Sequence, residues 1–257
     1  MRAWDLATNS LERALLLLKL VEQTPGGLTN SEISRQLRIP KSSCSYIMSR
    51  MEREGYLIRD AESGRYNLGL TTVTLAHGAL REIGIRTVAE PALYKLTNET
   101  GLSAGIGVLQ RGRVVLVDRV EGPRFLANAK AAYRTRAQRD IGRELPVNST
   151  ALGKVLLAYM PRQQALKFIR EHGLPRSAAN TMDRVRSQGY AIADREADAA
   201  LRALSVPILD PDGTVHAAVS VNGSPSDPVW TDLEGLVNKV GEAARDISRR
   251  ARLYRSP

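Results

Sequence analysis

Residues 40–52 constrain the chain more than any other segment, because they predict a helix whose two sides differ in chemistry. An apolar stripe recurs at the i, i+3, i+4 and i+7 spacing of a helix, and it consists of Cys44, Ile47, Met48 and Met51. The other side carries hydroxyl, aromatic and guanidinium groups and no carboxylate, whereas a solvated helix face usually mixes acids with bases. Such a helix fits the width of a DNA major groove, and its small side chains permit close approach. This polar side comprises Ser42, Ser45, Tyr46, Ser49, Arg50 and Arg53.

Two further helix starts precede this segment. Asn9 followed by Glu12 has the pattern of a capping box, and it predicts a first helix that the Pro-Gly-Gly of residues 25–27 brings to an end. Thr29 followed by Glu32 is a second box and predicts a second helix. A short turn then leads into the helix of residues 40–52.

A hairpin is predicted after the third helix, because residues 56–68 contain two short strand-like runs around a glycine-containing turn. Helix, helix, turn, helix and hairpin is the order of a winged helix-turn-helix, in which the third helix presents its N-terminal half to base edges. In the hairpin, Arg59, Arg65 and Tyr66 are candidates for contacts with phosphate or the minor groove. A three-helix unit with a hairpin also occurs in protein-binding modules, so a non-DNA sensor or protein-interaction module remains an alternative.

The composition bounds the class of protein. A chain of 257 residues has room for two modest domains, each with its own core. No apolar run approaches the roughly 18 residues that a membrane span needs, and the N-terminus lacks the pattern of a signal peptide. The single cysteine, Cys44, excludes an intramolecular disulfide and favours a reducing compartment. We therefore expect a cytoplasmic protein without a membrane partner.

The net charge of +10 suggests a polyanionic partner, but the charge is unevenly placed. Residues 1–84 hold eleven Lys and Arg against nine Asp and Glu, a net charge of +2. Residues 85–257 hold the other +8. Bulk charge therefore does not mark the N-terminal third as a nucleic-acid binder, and that prediction depends on the helix pattern.

The remainder of the chain alternates between strand and helix signals. Residues 104–119 and 204–221 each predict a hairpin, the second with an Asp-Gly turn. Helices are predicted at 88–100, 151–159, 162–171, 181–188 and 232–252. Antiparallel hairpins with packed helices predict an α+β domain.

Catalytic and metal-binding motifs are not recognisable in the sequence. The three histidines His77, His172 and His216 lie far apart and lack the spacing of metal ligands. No G-x-S-x-G occurs, and Gly153–Lys154 lacks the rest of a phosphate-binding loop. Cys44 lies on the apolar stripe, where a packing role is expected. We therefore predict a protein that is not an enzyme and has no metal or cofactor, although an effector domain that retains an enzyme activity remains a weaker alternative.

Several motifs together resemble one protein family. In the first third they are SLERAL at 10–15, LTNSEI at 28–33, LRIPKSS at 37–43, GYL at 55–57 and YNLG at 66–69. Later they are NSTALGKVLLA at 148–158, RSQGY at 186–190, VPILD at 206–210 and AAVSVNG at 217–223. In this order and spacing, over nearly the whole chain, they resemble the IclR family of bacterial transcriptional regulators.

The resemblance implies the architecture of the whole protein. It places a winged helix-turn-helix DNA-binding domain at residues 8–70, a linker helix at 71–86 and a GAF-like α/β effector-binding domain at 87–257. It also implies a ligand-responsive regulator, a repressor or an activator, that binds double-stranded operator DNA as a homodimer or a tetramer. Twofold pairing suits a helix-turn-helix, since such readers commonly bind pseudopalindromes. The effector, the operator and the sign of regulation are not readable from the sequence.

Residues are predicted for two sites, the DNA contacts from the helix and hairpin pattern and the effector contacts from the resemblance. The predicted DNA contacts are Lys41, Ser42, Ser43, Ser45, Tyr46, Ser49 and Arg50 on the third helix, with Arg65 and Tyr66 in the wing. The predicted effector contacts are Ala151, Leu152, Leu201, Ala203, Ser220 and Asn222.

The predicted effector residues indicate the kind of ligand. Ala151 and Leu152 begin a helix, whose free N–H groups favour a carboxylate. Ser220 and Asn222 are two residues apart on a strand, so they share one face and can orient a ligand, unless that face is solvated. Leu152 and Ala203 are bulkier or less polar than the residues often found there in the family. A larger or aromatic carboxylate is therefore at least as suitable as a small keto acid.

Overall fold

The computed structural model describes residues 9–82, 84–124, 141–210 and 212–255. The chain divides into two compact units, Met1–Glu82 and Ile83–Pro257. Each unit has its own hydrophobic core. None of the helices in the described ranges combines the length and the apolar character that crossing a bilayer requires.

The first unit is a winged helix-turn-helix followed by one further helix. Its core contains the inner sides of three helices together with Leu28, Leu57 and Tyr66 of the loop and the wing. The two wing strands pair antiparallel, with Leu57 opposite Leu68. The elements are α1 (Ser10–Glu22), α2 (Asn30–Leu37), α3 (Lys41–Arg53), β1 (Leu57–Arg59), β2 (Tyr66–Leu68) and α4 (Leu70–Glu82).

Both predicted capping boxes are confirmed. Asn9 Oδ1 accepts from the Glu12 backbone N–H at 2.9 Å, and the Glu12 carboxylate accepts from the Asn9 N–H at 3.4 Å. At α2, Thr29 Oγ1 accepts from the Glu32 N–H at 3.3 Å, and Glu32 accepts from the Thr29 N–H at 2.8 Å. These bonds satisfy backbone donors that have no partner inside the helix, so they fix where α1 and α2 begin.

The two sides of α3 are also as predicted. Cys44 and Met48 are completely buried, and Ile47 and Met51 lie beside them in the core. The opposite side is exposed, including the large ring of Tyr46 at 59%. Burial of the apolar stripe therefore fixes the rotation of α3 and turns its polar side outward.

The predicted linker helix over residues 71–86 falls on two described helices, and residue 83 between them lies outside the described residues. The structure has α4 ending at Glu82 in the first unit, and α5 (Gly84–Thr100) begins the second unit. The predicted helix at 88–100 is the continuation of α5. It enters the core of the second unit with Val88, Leu93 and Leu96.

The second unit is built on a six-stranded antiparallel sheet with the strand order β5-β4-β3-β8-β7-β6. The predicted α+β architecture and its two long hairpins are confirmed. The short strands β5 and β6 were not predicted. The elements are β3 (Ser103–Gln110), β4 (Arg113–Val120), β5 (Glu144–Leu145), α6 (Ala151–Tyr159), α7 (Arg162–Glu171), α8 (Ser177–Gln188), β6 (Ala191–Asp194), β7 (Arg202–Leu209), β8 (Val215–Gly223) and α9 (Leu233–Arg255), with a 3-10 turn at Pro228–Thr231.

Helices cover both faces of this sheet. On one face α5 and α9 pack over strand residues such as Ile106, Leu204 and Val219. On the other face α6, α7 and α8 enclose a second core that includes Leu116 and Ala218. The sheet therefore separates two cores, and consecutive strand residues contribute to opposite ones.

The strand register places the polar residues of the second face in rows. Ser220 of β8 lies opposite Gly105 of β3, which in turn lies opposite Arg119 of β4. In the next row, Asn222 lies opposite Ser103 and Ala203. Directly opposed residues point to the same face of a sheet, so these side chains meet on the side of α6.

Candidate DNA interface and effector pocket

The polar side of α3 presents the predicted DNA-contacting residues together. Six of the seven predicted residues on this helix are exposed, and Ser43 is half-buried. The guanidinium of Arg50 lies 5.0 Å from the centre of the Tyr46 ring, a cation–π arrangement that holds both groups on the outer side of the helix. Arg53, farther along, is paired with Glu54 at 3.2 Å. The exposed positive charge that α3 offers to DNA therefore comes from Lys41 and Arg50, within its first three turns.

The start of α3 has no side-chain cap. Pro40 occupies the N-cap position and makes no capping hydrogen bond, and the first turn contains no acidic residue. Its backbone N–H groups at Lys41 and Ser42 have no acceptor within the helix. An uncapped helix N-terminus that carries a lysine is suited to an anionic partner such as a phosphate.

The wing places its predicted residues differently from α3. Arg65 donates to the Gly27 carbonyl at 2.8 Å and contacts both oxygens of Glu32, at 3.2 and 3.3 Å. Hydrogen bonds from the Thr29 backbone and hydroxyl lower the pKa of Glu32, and the Arg65 charge lowers it further. Arg65 therefore ties the wing to the start of α2.

Tyr66 corrects the sequence-based prediction for the wing. Its side chain is only 9% exposed and belongs to the core, so its ring is unavailable to bases. Its backbone exchanges hydrogen bonds with Leu28, at 2.8 and 3.1 Å. Arg59 is exposed and lies over the Tyr66 ring at 5.7 Å. Of these two residues, Arg59 is therefore the one whose side chain is accessible to DNA.

All six predicted effector residues line one cavity of about 250 Å³ in the second unit. Ser220 is buried and Asn222 is half-buried, so their face of β8 is directed into this cavity and not to open solvent. The cavity lies between the sheet face described above and the first turn of α6. Sequence motifs that are about 50 residues apart therefore form one site.

The start of α6 forms one wall of the cavity. Thr150 caps the helix by accepting from the Gly153 N–H at 3.2 Å, and its hydroxyl donates to the Pro146 carbonyl at 2.6 Å. Ala151 and Leu152 follow, both buried, with first-turn N–H groups that have no acceptor within the helix. This wall combines an apolar surface with the positive end of a helix dipole.

Sequence reasoning missed several residues that line the cavity. From β3 and β4 come Gly105, Leu116 and Arg119, and from the segment after β6 come Glu196 and Asp198. Arg119 could have been found only from the strand register. The loop residues carried one available signal, which was their closeness in sequence to the predicted contact Leu201.

Arg119 orients the predicted contact Asn222. Its Nε and Nη2 donate to the two oxygens of Glu121, and its Nη1 lies 3.3 Å from the Asn222 side-chain oxygen in the amide orientation that satisfies both groups. In that orientation the Asn222 nitrogen donates to the Ser103 carbonyl at 3.2 Å. Glu121 thus balances the charge of the Arg119 guanidinium at the cavity.

The other candidates for chemistry do not form a site in the described ranges. Those ranges contain no group of three or more His, Cys, Asp or Glu side chains that could hold a metal ion. The His172 ring is stacked on Phe168 with 4.1 Å between the centroids. Cys44 is fully buried, and burial raises the pKa of its thiol to about 11. The side chain of His216 lies outside the described residues.

Models of known protein families match both parts of the chain. The family model of the IclR helix-turn-helix domain matches residues 10–61, and that of the bacterial transcriptional regulator IclR C-terminal matches residues 77–249. The transcriptional regulator XynR of Escherichia coli is 28% identical over 93% of this chain and 96% of its own. The regulator KdgR of the same organism is 28% identical over 91% and 88%.

Solved structures show the same fold. An IclR family regulator from Brucella abortus has a TM-score of 0.76 at 24% identity, covering 94% of this chain and 91% of its own. An IclR homologue from Microbacterium hydrocarbonoxydans, solved in complex with 4-hydroxybenzoate, has a TM-score of 0.75 at 24% identity, covering 95% and 100%.

Proposed function

Since the chain belongs to the IclR family of bacterial transcriptional regulators, we propose that α3 reads its operator and that a carboxylate in the 250 Å³ cavity changes the affinity for that operator. The protein is thus a ligand-responsive, DNA-binding regulator. The observation that carries the proposal is the outer side of α3, which exposes hydroxyls, one aromatic ring and two cations without a carboxylate among the residues we assign to DNA. We assign the protein to the cytoplasm, where operator DNA lies, and we propose that it acts by binding and not by catalysis.

The DNA contacts fall into two kinds. Lys41 and the first-turn N–H groups of α3 suit backbone phosphates, which position a protein on the duplex. Ser45, Tyr46 and Arg50 lie on the outer side and suit base edges in the major groove. In the wing we keep Arg65 as a secondary contact. We assign the other wing contact to Arg59 and not to Tyr66, because Arg59 is exposed and Tyr66 is buried.

Arg50→Ala tests the DNA half of the proposal. The variant should lose about 1–3 kcal/mol of operator binding, since Arg50 is exposed and its removal leaves the core of α3 intact. A gel-shift titration measures the loss, with Arg170→Ala on the exposed side of α7 as the matched control. Equal affinity of Arg50→Ala and wild type removes Arg50 from the interface. A flat dependence of random-DNA binding on salt indicates a protein-binding module instead, because phosphate contacts make that dependence steep.

An aromatic or other carboxylate is the effector class we assign. The start of α6 supplies N–H donors for a carboxylate, and Leu116, Leu145 and Leu152 supply an apolar wall for its carbon frame. The homologue from Microbacterium hydrocarbonoxydans binds 4-hydroxybenzoate, an acid of this class. The predicted contacts Leu201, Ala203, Ser220 and Asn222 complete the site.

A thermal-shift screen of carboxylic acids tests the effector half. An acid that binds the folded state raises the melting temperature by mass action, while its uncharged amide should not. A hit is then added to a gel shift, where it should change operator affinity by about 1–3 kcal/mol. An acid that stabilises equally a variant with a filled cavity, such as Ala203→Trp, binds elsewhere and contradicts the assignment.

We propose that the protein assembles as a homodimer, or as a tetramer made of two such dimers, through its first unit. α4 exposes Leu70 at 82%, Val73 at 62% and Leu75 at 55%, and α1 exposes Leu11 at 70%. Several exposed large apolar residues within one unit are typical of an interaction surface. Light scattering of Val73→Glu should show a smaller species than wild type, with Leu209→Glu in the second unit as the control. A monomeric wild-type protein contradicts this proposal.

A further inference from the structure

An ion pair between the nearly buried Lys154 and the partly exposed Glu196 connects two elements that both line the cavity. Lys154 lies in the first turns of α6, and its side chain is 10% exposed. Its Nζ donates to the Ile192 carbonyl at 3.0 Å and to the carboxylate of Glu196. Glu196 belongs to residues 195–201, the segment between β6 and β7 that we call the cavity loop.

The cavity loop closes on itself. The Arg195 N–H donates to the Leu201 carbonyl at 2.9 Å, which joins the two ends of the loop. Inside the loop, Asp198 accepts from the backbone N–H groups of Leu201, at 3.0 Å, and Ala200, at 2.9 Å. These hydrogen bonds connect the residues of the loop to one another, so an interaction that holds one of them also restrains the others.

Packing contributes little to the position of this loop. Arg195, Ala197, Ala199 and Ala200 are exposed, and three of these are alanines with almost no side chain to bury. Arg195 also has a φ of 56°, in the left-handed region that costs a non-glycine residue about 1–2 kcal/mol. A loop with few buried apolar contacts opens readily unless a specific interaction holds it.

The Lys154–Glu196 pair provides such an interaction. Because Lys154 is nearly buried, its charge is poorly screened, and losing its partner would leave an uncompensated ammonium group. Lys154 also lies only two residues after Leu152, so it is anchored in the same helical turns that face the effector. The pair thus sets the distance between the α6 wall and the loop wall of the cavity.

We propose that Lys154 is a positioning residue of the effector site, which acts through Glu196 to hold the cavity loop against the ligand. In the held position Ala197, Asp198 and Leu201 face the cavity. The loop then decides which acids fit, while Lys154 itself makes no contact with them. This inference rests on the proposed function of the cavity as an effector site.

Hydrogen–deuterium exchange of the full-length protein tests the tether without any ligand. In Lys154→Met and in Glu196→Gln, amides of residues 195–201 should exchange about tenfold faster than in wild type, whereas those of β3 and β8 should not change. Asp183→Asn is the matched control, because it breaks the exposed Arg162–Asp183 pair of the same unit away from the cavity. Trypsin cleavage after Arg195 should accelerate in the same two variants only.

The double variant separates a tether from two unrelated losses. If the pair acts as a unit, Glu196→Gln should add no further exchange in the Lys154→Met background. Wild-type exchange rates in both single variants, or fully additive effects, overturn the proposal. Glu196→Gln keeps the shape of the side chain, so it remains informative if Lys154→Met folds poorly.

Binding of 4-hydroxybenzoate, measured by calorimetry on the same variants, tests the link to the effector. The dissociation constant should rise about tenfold in both variants. Wild-type affinity together with accelerated exchange overturns the positioning role. If no carboxylic acid binds wild type while exchange still responds, the failure lies in the proposed function and not in the tether.

Discussion

At the scale of single residues, three arginines among the described residues adopt left-handed backbone conformations. Arg38 has φ 54° at the C-cap of α2, Arg111 has φ 46° and Arg195 has φ 56°. In this region the Cβ atom approaches the following carbonyl oxygen, which costs about 1–2 kcal/mol. Arg38 carries this cost in the turn of the helix-turn-helix, where the chain reverses between α2 and α3.

Arg38→Gly should be more stable than Arg38→Ala by about 1 kcal/mol, because only glycine relieves the strain at this φ. Both variants lose the same side chain, so the difference between them isolates the backbone. Urea unfolding measures it. Equal midpoints for the two variants would contradict a strained turn.

The Cys44 thiol should be unreactive in the native protein. Burial raises the pKa of this thiol to about 11, and the reactive form is the thiolate. At pH 8 we expect Ellman's reagent to label the native protein only as fast as it unfolds, and to label one thiol at once in guanidinium. Rapid labelling of native protein would show that α3 does not bury this residue.

At the scale of elements, the wing is held by polar contacts to the helix-turn-helix as much as by its own strands. Glu32 caps α2, accepts from Thr29 and pairs with Arg65, so one carboxylate joins the start of α2 to β2. Tyr66 secures the same connection from the core. Arg59 lies outside this network, on the exposed side of β1.

Arg59→Ala should therefore weaken operator binding. It should also reduce the slope of log affinity against log salt concentration by about 1, as the loss of one phosphate contact does. Tyr66→Phe should leave operator affinity unchanged, since its ring is buried in the core. Gel-shift titrations at several salt concentrations compare the two variants. A larger loss in Tyr66→Phe than in Arg59→Ala would restore the original prediction for Tyr66.

At the scale of the whole molecule, the two units have separate cores and different charge. Leu17 is completely buried in the first unit, and Leu93 is completely buried in the second. The first unit carries a net charge of only +2, so its DNA contacts depend on the placement of a few cations.

Calorimetry should resolve two unfolding transitions in the full-length protein. Leu17→Ala should shift only one transition to lower temperature, and Leu93→Ala only the other. Each variant should lose about 2–5 kcal/mol of the free energy of unfolding of its own unit, because each opens a cavity in one core. A single transition that both variants shift equally would show that the two cores unfold together.

Local patterns were sufficient for the elements whose signals lie within a few residues. Both capping boxes and the two sides of α3 depend on contacts at i+3 and i+4, which the sequence displays directly. The wing shows the limit of such patterns. Its strands are three residues long, and since neighbouring strand residues point to opposite faces, a short strand does not reveal which face is the core. Tyr66 was misplaced for this reason.

By itself, the sequence determined the family, the outward face of α3 and the order of the longer elements, and it singled out six residues that line one cavity. Only the tertiary structure decided how the cavity is built. The register of three strands places Arg119, Gly105 and Ser220 side by side in one row. The contact between Lys154 and Glu196 joins residues that are 42 positions apart in the chain. Such contacts depend on long-range packing that no local spacing encodes, whereas helix faces and caps are closed within one or two turns.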